Sequence, residues 1–157
     1  MTAPIRVVVV DDHDLVRAGL IAILGTEPDL LVVGEAGDGL SGARVARDTR
    51  ADVVLMDLSM PRADGISGLR AVRAQCPDTA VLMLTTFDMG ESIEKALREG
   101  SSGYLLKTAP STELVGAVRA AHRGERVFST AIQDRLISSF LDKNRAPEPP
   151  PASLQQL

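Results

Sequence analysis

Three carboxylates, one hydroxyl and one ammonium group stand out in this chain: Asp11, Asp12, Asp57, Thr85 and Lys107, each at or just past the end of a short apolar run. Carboxylates crowded to about 4 Å repel by roughly 4 kcal/mol per pair at an effective dielectric near 20, so a cation has to join them. A hard divalent ion such as Mg²⁺ takes oxygen ligands, needs only one or two protein carboxylates and often shares a phosphate oxygen. If the five side chains meet, the pocket they line suits a metal ion and a phosphoryl group.

The runs that must position them are Ile5–Val10, residues 53–56, residues 80–84 and residues 104–106. Their apolar, largely β-branched character reads as buried parallel strands, and the ligand crevice of an open parallel sheet lies beyond the carboxyl ends of its strands. Helical stripes alternate with the strands. Val16, Leu20, Ile23 and Leu24 form the first and Gly25 ends it. A second strand runs from Leu30 to Val33, an Ala-rich helix covers residues 40–48, and Asp57 closes the third strand. Pro61, Asp64 and Gly65 read as turn chemistry before a third helix whose inner face holds Ile66, Leu69 and Val72. The fourth strand ends at Thr85, a fourth helix with Ile93, Ala96 and Leu97 inward stops at Gly100, and Gly103–Leu106 makes a short fifth strand. Leu114, Ala117, Val118 and Ala121 face the fifth helix inward, and Gly124 closes it. The pattern predicts a doubly wound α/β domain over residues 1–125, with a five-stranded parallel sheet in the flavodoxin-like order 2-1-3-4-5. Residues 126–157 read as an appendage: a linker helix capped by Ser129 or Thr130, with Ile132, Leu136 and Phe140 on one face and Ile137 and Leu141 beside them, then a proline-rich tail.

A net charge of -4 over 157 residues leaves no basic footprint for nucleic acid. Cys76 is the single cysteine, which excludes an internal disulfide framework. The first strand opens within five residues of Met1, the apolar runs are too short to cross a bilayer, and a cytoplasmic location with no membrane contact is expected. His13 follows the acidic pair, but a lone imidazole is not the expected ligand of an oxygen-rich Mg²⁺ site. His122 suits the C-terminal end of the fifth helix.

Four stretches, VVVVDDHDL from Val7, VVLMDLSMPRADG from Val53, VLMLTTFD from Val81 and GYLLK from Gly103, resemble the receiver domain of bacterial two-component response regulators of the NarL/FixJ (LuxR) type, over roughly residues 4–142. The resemblance implies that Asp57 is the phospho-acceptor for a sensor histidine kinase, and that Asp11, Asp12, Asp57 and the backbone carbonyl of Ser59 hold Mg²⁺. Lys107 and Thr85 would contact the phosphoryl group, and Tyr104 would act with Thr85 as the switch, rotating inward to alter the surface of the fourth helix, fifth strand and fifth helix. The implied role is regulatory, with the domain assisting only its own phosphorylation and dephosphorylation and controlling a transcriptional output. A homodimer is a possible partner state, and DNA contact would belong to a C-terminal helix-turn-helix domain not present in this chain. Thr108 departs from the pattern of many receivers, which have proline after the lysine. Ser59 and Phe87 occupy the positions that tune acyl-phosphate lifetime in the family.

Two alternatives use the same residues. VVVVDDHDLV also resembles the opening motif of haloacid-dehalogenase-type phosphatases, with Asp12 as nucleophile and Asp14 two places on, but that reading finds no acidic pair after Lys107 and gives Asp57 no work. A phosphorylation-independent pseudo-receiver would not require Asp11, Asp12, Asp57, Thr85 and Lys107 together.

Overall fold

The computed structural model describes residues 3–61, 64–86 and 95–128, together with Gln133, Asp134, Ile137, Ser138 and Leu141. The strands are β1 (Ile5–Val10), β2 (Leu30–Ala36), β3 (Val53–Asp57), β4 (Ala80–Thr85), β5 (Gly103–Leu106) and β6 (Val127–Phe128). Helices α1 (Asp14–Gly25), α2 (Gly39–Thr49) and α3 (Asp64–Gln75) come first; α4 is described over residues 95–98, and α5 is Ser111–His122. All strand pairs are parallel, in the order β2-β1-β3-β4-β5-β6. The expected order is therefore present, but the sheet has six strands and not five. The sixth escapes the sequence pattern because it is two residues long: Gly103 and Tyr104 pair with Val127 and Phe128, two places beyond the expected domain end at residue 125.

Strand alternation sorts the core into two layers. Val8, Val10, Val54, Met56, Val81, Met83 and Tyr104 point to one face, where Ala43, Ala46, Ile66, Leu69, Val72 and Ala96 of α2, α3 and α4 cover them. Val7, Val9, Val53, Leu55, Leu82, Leu84 and Leu105 point to the other, under Leu20 and Leu24 of α1 and Leu114, Val115 and Val118 of α5. Burial on both faces explains why β1, β3 and β4 read as near-continuous apolar runs, interrupted within β1 by Arg6. β2 lies at the sheet edge with Leu31 and Glu35 exposed, and its polar end hides its full length, which reaches Ala36 and not Val33.

Local chemistry sets the helix ends. Asp38 caps α2 by accepting the Ser41 amide at 2.8 Å, and Arg50 closes the helix at φ 54. Asp64 and Gly65, read from sequence as turn residues, instead occupy the first turn of α3. Glycine is needed there for close approach: a Cβ on Gly65 would overlap the Asp57 carbonyl oxygen. The Asp64 carboxylate accepts the Gly39 amide at 2.7 Å, and a Cβ on Gly39 would lie 2.8 Å from the Gly68 Cα. The starts of α2 and α3 are thereby packed backbone to backbone immediately behind Asp57.

The described residues near the C-terminus are helical, Ile137 and Leu141 are exposed, and the Gln133 side-chain amide donates to the Phe128 carbonyl at 3.0 Å. Phe87, Ile93, Ser129, Thr130, Ile132, Leu136, Phe140 and the proline-rich tail lie outside the described residues. No helix among the described residues is long and apolar enough to cross a membrane.

Candidate functional site

The parallel sheet brings the carboxyl ends of β1, β3, β4 and β5 to one edge, and with them Asp11, Asp12, Asp57, Thr85 and Lys107. Asp11, Asp57 and Thr85 are completely buried. Lys107 Nζ lies 2.8 Å from Asp11 Oδ2 and 3.0 Å from Asp57 Oδ2, with only 9% of its side chain exposed. Its backbone amide donates to the Thr85 carbonyl at 2.7 Å, so the β4 and β5 ends are tied where the two side chains emerge. Among the described residues every peptide bond is trans, including those around Thr108.

Asp11 and Asp57 are held in the same way. Asp57 Oδ1 accepts the Ser59 amide at 2.8 Å and Asp11 Oδ1 accepts the His13 amide at 2.8 Å, each two residues on, the Asx turn by which a short acidic side chain bonds its own backbone. Each Oδ2 is left facing Lys107 at ion-pair distance without an aligned hydrogen bond. Burial pushes the Asp57 carboxyl up from its ordinary range; the Ser59 amide and Lys107 counter this, while Asp11 adds to it. Burial alone would lower the Lys107 ammonium, but the Asp11 and Asp57 carboxylates at ion-pair distance outweigh it and hold Lys107 above its ordinary value. The cation is therefore firmly protonated and still outnumbered by carboxylates.

Asp12 sits at the pocket mouth with 28% of its side chain exposed. Ligand atoms of Asp11, Asp12, His13 and Asp57 all fall within 4.8 Å of one another. An oxygen-rich donor set, an excess of negative charge and two buried carboxylate oxygens without aligned donors fit a hard divalent cation.

Sequence reasoning missed Arg17. Its guanidinium donates to the Asp11 carbonyl, to Glu35 and to Asp14, each at 2.7 Å, tying the loop that carries the acidic pair to α1 and the edge strand. The available signal was an arginine one turn into the helix that follows an acidic pair. Asp14, the second residue of the phosphatase alternative, has 92% of its side chain exposed and pairs with Arg17. Asp12 has no contact with Lys107 comparable to those of Asp11 and Asp57. Tyr104 is fully buried in the layer beneath α2, α3 and α4.

Comparison with known proteins agrees with this geometry. Residues 7–119 match the response regulator receiver domain. The transcriptional regulatory protein YxjL of Bacillus subtilis is 42% identical over 134 residues, which cover 85% of this chain and 62% of that protein. LiaR of the same organism, also named a transcriptional regulatory protein, is 38% identical over 85% of this chain and 64% of its own length. The chain thus spans less than two thirds of these curated relatives. A two-component response regulator of the LuxR family from Aurantimonas sp. SI85-9A1 superimposes with a TM-score of 0.83 at 32% identity, covering 88% of this chain and 99% of that one. The matches favour neither the phosphatase nor the pseudo-receiver reading. With its doubly wound sheet, its buried acid–lysine pocket and a family match over most of its length, the chain belongs to the response regulator receiver domains, in the company of NarL/LuxR-type regulators.

Proposed function

We propose that Asp57 accepts a phosphoryl group from the phosphohistidine of a sensor kinase, and that Mg²⁺ held by Asp11, Asp12, Asp57 and the Ser59 carbonyl assists the transfer. The observation that carries this reading is the buried Asp57 carboxylate, held by a backbone amide and facing a protonated lysine beside a second buried carboxylate. In the step, a carboxylate oxygen of Asp57 forms a bond to phosphorus while the phosphorus–nitrogen bond to the donor imidazole breaks, its electron pair leaving with the donor. Asp57 becomes an acyl phosphate. The Ser59 amide fixes the carboxylate for attack, and Lys107 moves its ion pairing onto the transferring oxygens, the positioning and charge stabilisation on which phosphoryl transfer depends. Bound Mg²⁺ supplies the further positive charge that this step requires.

Thr85 then donates its hydroxyl to the new phosphoryl group, which brings about -1.5 to -2 charge and three strong acceptor oxygens. Through Thr85 the change reaches Tyr104 and the surface of α4, β5 and α5. The partners in this scheme are a sensor kinase in the cytoplasm and a second copy of the chain. A transcriptional output is carried over from the names of the relatives, with DNA contact made by residues outside this receiver.

Incubation of the chain with acetyl phosphate and Mg²⁺, followed by intact-mass measurement, tests the proposal. Wild type gains one phosphoryl group, Asp57→Ala gains none, and a chelator prevents labelling. Equal labelling of Asp57→Ala, or label found on Asp12, defeats the assignment.

A further inference from the structure

His13 occupies a position that the functional reading leaves unused. Its Nδ1 lies 3.1 Å from Asp12 Oδ1 and 3.4 Å from Asp11 Oδ1, yet 65% of its side chain is open to solvent. The ring is placed by its approach to these carboxylates and not by burial. The His13 amide is bonded to Asp11 Oδ1, which anchors the residue in the loop that carries both carboxylates. In an octahedral site with bonds near 2.1 Å, adjacent ligand atoms stand about 3.0 Å apart and opposite ones about 4.2 Å. The spacing of Nδ1 from Asp12 matches the adjacent pair, and the four-residue cluster, whose ligand atoms lie within 4.8 Å of one another, contracts by about 0.6 Å at most to meet the opposite-ligand distance. The buried side of the same cluster offers Asp11 Oδ2 and Asp57 Oδ2, fully enclosed and without aligned hydrogen-bond donors.

Resting on the assignment of the acid cluster as a divalent-metal site, we propose that His13 supplies an imidazole nitrogen to first-row transition ions bound there and so makes this receiver selective for them over Mg²⁺. The physical basis is ligand softness. Mg²⁺ favours oxygen and gains little from imidazole, whereas Mn²⁺ and, more strongly, Co²⁺ gain from a nitrogen donor in the order expected for divalent first-row ions. His13 stands at the exposed rim of the cluster, whereas Lys107 is enclosed against Asp11 and Asp57. The exposed ring also makes His13→Ala a gentle substitution.

The test is pulsed electron paramagnetic resonance of the Mn²⁺-loaded chain, with Co²⁺ and Mg²⁺ affinities measured by calorimetry. The chain has two histidines, so His122→Ala is the internal control. Wild type and His122→Ala show nitrogen modulation of the Mn²⁺ echo and His13→Ala loses it. Co²⁺ affinity falls about tenfold or more in His13→Ala while Mg²⁺ affinity changes by less than about twofold. Nitrogen modulation that survives in His13→Ala, or equal losses for Co²⁺ and Mg²⁺, overturns the role of His13 while leaving the acid cluster as a metal site. Mn²⁺ binding that is unchanged in Asp57→Ala overturns the site itself and the functional reading with it.

Discussion

The two ends of the sheet treat charge in opposite ways. At the amino ends of the strands, cations and acceptors are matched: Arg119 bonds Glu27 and both oxygens of Asp29, and Arg6 donates from its guanidinium to the Thr49 carbonyl and from its backbone to Asp52. Arg119 is raised and Asp29 lowered, each chiefly by their mutual hydrogen bonding, so both are held charged. At the carboxyl ends, one lysine faces two fully buried carboxylates with a third at the rim, and burial raises Asp57. Matched charge at one end staples the loops between elements. Unmatched charge at the other is what the proposed cation would compensate. Arg17 is the exception, a matched staple to Asp14 and Glu35 on the carboxyl side.

Removing Lys107 widens this contrast most. Lys107→Ala leaves two buried carboxylates uncompensated, and loss of one partner of a buried ion pair costs about 3–5 kcal/mol. Urea unfolding without divalent metal should show that loss, and phosphorylation by acetyl phosphate should collapse. Because Lys107 is raised, its stabilisation is present at neutral pH and is lost only as pH rises through its elevated value. A mutant as stable as wild type at pH 7 would mean that the pocket is not charge-strained.

Gly65→Ala comes next. The added methyl meets the Asp57 backbone carbonyl, and overpacking of this kind costs about 1–3 kcal/mol. Reduced labelling of Asp57 should accompany the loss, since the peptide unit of the proposed nucleophile must move. Normal labelling together with normal stability would show that the start of α3 yields freely.

Asp57→Asn has the opposite sign. Asp57 is raised in the fold, so its favourable contribution is present below the ordinary carboxyl range and disappears as pH rises through the elevated value. The asparagine variant should therefore be more stable than wild type at pH 7, by on the order of 1 kcal/mol, with the gain shrinking toward pH 3. A gain that persists unchanged in acid would point to packing rather than charge.

The smallest effect belongs to the matched end. Arg119→Ala should lower Tm by only about 2 °C at low salt, because exposed ion pairs contribute little, and the difference should fade in high salt. A large, salt-resistant drop would erase the distinction between the two ends.

The legibility of this site in sequence follows from where its residues sit. A polar side chain ending a buried parallel strand breaks an otherwise apolar run, which is why Asp11, Asp57, Thr85 and Lys107 stand out in the sequence. Contacts made across the fold left no such mark. Arg17 looks like an ordinary helix-surface arginine until the Asp11 carbonyl and Glu35 are seen to lie beside it. Gly65 follows Asp64 in a sequence typical of turns, and only the proximity of the Asp57 carbonyl reveals close packing as its role. Edge strands carry the least sequence signal, since β2 is exposed on one side and β6 is too short to show a period.

The chain has one tyrosine and no tryptophan, and that tyrosine is Tyr104, enclosed in the sheet layer beneath α2, α3 and α4. Nearly all of its near-ultraviolet emission consequently arises from a single ring at a known place on β5, two residues before the strand ends at Leu106. Optical titrations of this protein come already site-resolved, with no label to attach and no second fluorophore to subtract.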